Sequence, residues 1–214
     1  MDWKSLLSNH SKDINQHNIL ETNSETGEKA SLFFKNKAVC TQESGYILVE
    51  GPDAEVFLQG QVTCDVSNVV QGASVNGAHL NPQGKVIFSF LLSKLKKGLI
   101  ILDVNKPILA TAMSSLEQYA VFSKVTLSLS ENFYSFLISS KASDDLSKLT
   151  GCSSIQKLSK GIIYSIVPKT LFSKWFDLIK DDITLIHNDT SRCIRINAGL
   201  TDIYPETSSK FIPQ

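Results

Sequence analysis

The residues best suited to chemistry fall into three polar groups. Gln59, Gln61, Thr63 and Asp65 alternate along the chain directly after an apolar stretch. In an extended segment such alternation points side chains the same way. A row of amides, a hydroxyl and a carboxylate suits hydrogen bonding to a heteroaromatic ring. The competing reading is a polar loop in which Asp65 caps a short following turn, and polar loops far outnumber sites. His79, beside Asn81-Pro82-Gln83-Gly84, is the second group. A lone strand histidine can be a base, but it is more often a satisfied structural residue. The third is Asn197, Gly199, Asp202, Glu206 and Thr207, followed by Phe211-Ile212-Pro213-Gln214.

Other chemistries find little support. There is no P-loop, GxGxxG, GxSxG or HExxH pattern. Cys40, Cys64, Cys152 and Cys193 stand far apart, without the spacing of a zinc site. Cys64 lies inside the first polar group with no basic neighbour to lower its pKa, so it reads as a small buried hydrophobe. Tyr119, Phe122 and Trp175 are candidate stacking surfaces, although core packing is the commoner use of such residues. Lys and Arg number 21, as do Asp and Glu, so no global field gathers nucleic acid or anionic membrane. Arginine occurs only at 192 and 195, a poor palette for reading phosphates or base edges. No apolar run reaches the ~18 residues of a membrane helix. No secretory signal is visible, which makes a reduced cytoplasmic protein the expectation.

The elements that must position these groups read as α+β. Residues 1–37 form a polar lead-in with a short helix over Trp3 to Leu7. A strand at Tyr46 to Val49 runs into Gly51-Pro52-Asp53, which opens a helix that Gly60 stops. Ala78 to Leu80 and Lys85 to Leu92 are strands joined by the Asn81–Gly84 turn. Leu99 to Val104 is a strand. Pro107 opens a helix with apolar residues at 108, 109, 112, 113, 116 and 120. Val121 to Leu129 alternates like a strand. Then follow strand Tyr134–Ser139, helix Ala142–Leu149, strands Ser153–Leu158 and Gly161–Val167, amphipathic helix Pro168–Lys180 and strand Ile183–His187. That order is the split βαβ, ferredoxin-like arrangement. Two units with mainly antiparallel sheets are expected: 38–130 and, ferredoxin-like, 131–188. Residues 189–214 return to the first unit, with Cys193 to Ile196 extended.

Four stretches together resemble the YgfZ family, relatives of the glycine cleavage T-protein, an aminomethyltransferase. They are FLQGQVTCDV (57–66), AHLNPQGKV (78–86), EQYAVFSKVTL (117–127) and INAGLTDIYPETSSKFIPQ (196–214). The resemblance runs from about Val39 onward. It implies two α+β units followed by a C-terminal β-barrel, with a reduced folate such as tetrahydrofolate near the centre. It implies a role in assembling or repairing iron–sulfur clusters of client enzymes, one of which modifies tRNA. The folate-contacting residues it suggests are Gln59, Gln61, Thr63, Asp65, His79 and the Phe122–Ser123 strand. Ser44 and Ser191 stand where the resemblance places ring-stacking tryptophans. The family's KGCYxGQE segment has no counterpart here, and none of the four cysteines matches its context. The expectation is therefore a form truncated before the barrel.

The leading functional expectation is a folate-binding accessory protein, without direct contact to nucleic acid or membrane. A folate-dependent aminomethyltransferase is the alternative in the enzyme class. It needs a carboxylate to manage protons near the folate amine, and Asp65 is the candidate. An inactive remnant without ligand is the third reading.

Overall fold

The computed structural model describes residues 5–6, 18–20, 31, 33–35, 37–139, 153–158, 161–180, 183–186 and 188–213. The chain divides into two compact units. One comprises Ser44–Glu131 and Thr201–Gln214, the other Met1–Glu43 and Asn132–Leu200. The helix expected at Ala142–Leu149, together with His10, His17, Cys152 and His187, lies outside the described residues.

Strands β1 (Asn18–Leu20) and β2 (Ala38–Thr41) precede the first unit's strand β3 (Ser44–Glu50) and helix α1 (Ala54–Gln59). Then come β4 (Ser74–Leu80), β5 (Val86–Lys96), β6 (Leu99–Asn105), α2 (Leu109–Ala120) and β7 (Thr126–Ser130). The sheet order is β4-β5-β6-β3-β7, with every pairing antiparallel. Along β5, Val86, Phe88, Phe90 and Leu92 alternate into the core. Against them α2 packs Ala112 and Leu116, preceded by Ile108, which is the expected helical stripe. The turn between β4 and β5 closes as its residues dictate. Asn81 Oδ1 accepts the Gln83 and Lys85 N–H groups, and Gly84 takes φ 77°. Residues 121–125, expected as strand, instead form a turn. The Phe122 and Ser123 N–H groups donate back to the Tyr119 and Ala120 carbonyls, so the alternating pattern becomes strand only from Thr126.

Strand β6 covers only part of β5, from Phe90 onward. The C-terminal segment takes the vacant place. Ser209 donates its N–H to the Val86 carbonyl and Val86 donates to that of Phe211, while Ser208 Oγ reaches the Ile87 carbonyl. Ile203 enters the same core.

The other unit holds β8 (Phe133–Ser139), β9 (Ser154–Lys157), β10 (Ile162–Pro168), α3 (Phe172–Ile179), β11 (Thr184–Ile186) and α4 (Ser191–Asn197). Its sheet order is β1-β11-β2-β8-β10-β9. Removing β1 and β2 leaves β11-β8-β10-β9, the strand order of a ferredoxin-like unit. Helix α3 buries Phe172, Trp175, Phe176 and Ile179, a one-face spacing. Trp175 stacks on Phe136 of β8 with ring centroids 4.3 Å apart.

This division differs from the sequence reading in two places. Residues 38–43 belong with the second unit, because β2 finds its ladder partners in β8 and β11. Residues 191–197 are helical rather than extended, and they too belong to that unit. The helix buries Ile194 and lays Arg195 over the Tyr164 ring of β10 at 5.6 Å. It ends in a Schellman motif: Leu200 N–H donates to the Arg195 carbonyl, Gly199 N–H to that of Ile196, and Gly199 has φ 76°. Within the expected lead-in, Asn18–Leu20 pairs in parallel with β11, and Leu6 is buried in the same core.

Candidate functional site

The first polar group follows α1 and is strapped along the outer edge of β4. Gly60 ends the helix, and the chain then turns back so that Val62 bridges His79. Thr63 N–H donates to the Ala78 carbonyl at 3.0 Å, and Ala78 N–H returns a 3.0 Å bond to Thr63 Oγ1. The strap therefore covers hydrogen-bonding groups that an edge strand would leave exposed. Cys64 fastens it from below by entering the core. A Cβ added at Gly77 would sit 2.7 Å from the Phe90 ring and 2.8 Å from Cys64 Sγ, so only glycine fits beneath the strap.

Most of the row's polar atoms hold the strap itself. Gln59 Oε1 accepts the Val66 N–H at 2.8 Å. Asp65 Oδ1 accepts the Ser67 N–H and hydroxyl, and its Oδ2 accepts from Asn68. This is the capped turn of the plainer reading. Ser67's hydroxyl chiefly, with further bonds from Ser67 and Asn68, holds the Asp65 carboxyl below its ordinary pKa. It is thus a fixed anion at neutral pH, poorly suited to moving protons. Gln61 differs. Its N–H donates to the Leu58 carbonyl and its own carbonyl accepts from His79, but its side-chain amide has no hydrogen-bond partner among the described residues.

His79 is 3% exposed and donates Nδ1–H to the Gln61 carbonyl at 2.7 Å. That bond sets the tautomer, leaving Nε2 as the acceptor. Burial holds the imidazole below its ordinary pKa, against the opposing pull of the Gln61 bond. The ring packs against Phe88 at 5.4 Å and against Tyr119, near the end of α2, at 6.2 Å. Tyr119 is 39% exposed and Phe122, on the following turn, 87%. Tyr119 is one of the candidate stacking surfaces of the sequence, and its contact with His79 is what brings it to this group. Ser123 is half-buried on the same turn.

Ser44 begins β3, which stands three places from β4 in its sheet, and Ser191 begins α4 of the other unit. Cys40 and Cys64 are not poised as nucleophiles. Burial, and secondarily Asp189, pushes the Cys40 thiol far up. Burial raises Cys64 too, with Asp65 adding to it and a backbone bond opposing. Among the described residues no cluster of His, Cys, Asp and Glu could hold a metal. Among them no helix is long and apolar enough to cross a membrane.

No family model matches the chain. An uncharacterised protein of Haemophilus influenzae is 32% identical over 171 residues, covering 78% of this chain and 55% of that protein. The tRNA-modifying protein YgfZ of Aliivibrio fischeri is 29% identical over 136 residues, 64% of this chain and 42% of its own length. That of Photobacterium profundum is 39% identical over 88 residues, 41% of this chain and 26% of its own. The chain thus spans about half, or less, of these curated relatives. Among solved structures, the glycine cleavage system aminomethyltransferase T of Bartonella henselae matches with a TM-score of 0.64 at 15% identity, over 86% of this chain and 58% of that one. The chain is therefore related to the YgfZ family and, over the part matched, shares the fold of the glycine cleavage aminomethyltransferase.

Proposed function

We propose that this chain is a cytoplasmic, folate-binding protein of the YgfZ kind. It serves iron–sulfur cluster assembly or repair in client enzymes, and through them tRNA modification. The observation that carries the reading is the side-chain amide of Gln61, unengaged at both its oxygen and its nitrogen among the described residues, whereas Gln59, Thr63 and Asp65 each hold the strap through side-chain oxygens. One donor group and one acceptor group, held on a fixed backbone, suit the edge of a pterin. The partly exposed ring of Tyr119 beside the same histidine, and the exposed ring of Phe122 on the turn that follows it, offer faces for stacking. The tRNA-modifying names of the relatives support the cellular role. Proton-transfer chemistry on folate is disfavoured because Asp65 is already engaged as an anion.

Titration calorimetry with tetrahydrofolate tests the ligand. Saturable heat with the wild type, weakened in Gln61→Ala, is the expected result. Absence of heat from folded protein would remove the ligand. Transfer of an aminomethyl group from its lipoyl carrier is expected to be undetectable. Measurable turnover would favour the transferase alternative.

A further inference from the structure

We infer that Gln61 is the one side chain of the Gln59–Asp65 row that contacts the ligand, and that His79 is its positioning residue. The inference rests on the folate reading above and divides labour within that site. The alternating row looks like a set of equivalent ligand donors, but its hydrogen bonds are unequal. Gln59 Oε1 is engaged by the Val66 N–H, Thr63 Oγ1 by the Ala78 N–H, and both Asp65 oxygens by Ser67 and Asn68. These three side chains close local rings that shape the strap. Gln61 alone has its main chain held on both sides and its side chain unspent. The post on one side is His79, whose buried ring packs against Phe88 and Tyr119 and whose Nδ1–H donates to the Gln61 carbonyl. With the main chain already pinned, only the Gln61 side-chain rotamers remain to be ordered on binding, which is how positioning becomes affinity.

Swaps that conserve shape separate the roles. Gln59→Glu keeps the Oε1 acceptor for Val66, and Asp65→Asn keeps an Oδ1 acceptor for Ser67. Gln61→Glu keeps shape and removes the amide donor. By titration with tetrahydrofolate, Gln61→Glu is expected to weaken binding about tenfold, and the other two within about twofold. For His79, asparagine places its amide nitrogen where Nδ1 stands, whereas glutamine places it nearer Nε2. His79→Asn is therefore expected to retain affinity and His79→Gln to lose it. A residue that merely filled space would show the opposite order, since glutamine is nearer in volume. Equal losses in all three swaps of the row, or none in Gln61→Glu, would overturn the assignment of Gln61 and leave the folate reading standing. His79→Asn as damaging as His79→Gln would overturn the positioning role. If the wild type itself gave no heat, the folate reading would fall and this inference with it.

Discussion

A single missing methyl group matters at the strap. Gly77 carries none because Phe90 and Cys64 occupy the space where it would stand. Gly77→Ala must push one of them aside, and overpacking of this kind costs about 1–3 kcal/mol. Chemical denaturation should show that loss, and an unchanged midpoint would mean that the strap lifts freely. His79 makes stability depend on pH. Its folded pKa lies below its unfolded one because burial disfavours the charged ring. Below the unfolded value of about 6.5 the unfolded chain binds more protons, so stability present above that pH is lost as pH falls toward the folded pKa. The urea midpoint should fall between pH 7.5 and 5 more steeply in the wild type than in His79→Asn. Parallel curves would mean that other groups govern the acid limb. The thiols give a third residue-scale outcome. Cys40 and Cys64 should react with iodoacetamide slowly in the native protein and readily in urea, read by peptide mass spectrometry. Fast native labelling of Cys64 would contradict its buried, raised-pKa setting.

At the scale of elements, legibility followed locality. The Asn81–Gly84 turn, the α2 stripe from Ile108 to Ala120 and the α3 face of Phe172, Trp175, Phe176 and Ile179 were all readable, because each is set by neighbours within a few residues. Helix α4 was misread because Cys193, Ile194 and Ile196 look strand-like, whereas buried Ile194, Arg195 on the Tyr164 ring and the Gly199 stop all belong to a helix. Its signal was Gly199, whose role as a helix stop only the hydrogen bonds reveal. Nothing lies within 4 Å of a Cβ built there, so Gly199→Ala isolates the backbone term. A residue with a side chain in that left-handed conformation costs about 1–2 kcal/mol. A thermal scan showing no loss would mean that the motif contributes nothing to α4. The polar row was half legible. Its alternation was visible, but the partners that engage Gln59 and Thr63 depend on the fold of the strap against β4, which no spacing states.

On the scale of the whole molecule, each unit is a sheet completed by chain from a distant part of the sequence. In one, residues 201–211 fill the vacant ladder along β5, and in the other, β2 stands between β11 and β8. Strand membership of that kind is set by long-range pairing and is hidden from local pattern. The gross α+β arrangement was nevertheless legible, because the order of strands and helices in the second unit admits few topologies. What the molecule does rests on its relatives' names and on one site, and the ligand is the part most open to direct test. Titration of the folded 214-residue chain with tetrahydrofolate should give a saturable isotherm with one site per chain, reduced about tenfold by Gln61→Glu. A flat isotherm from protein whose circular dichroism shows the mixed α and β content described above would contradict the central claim.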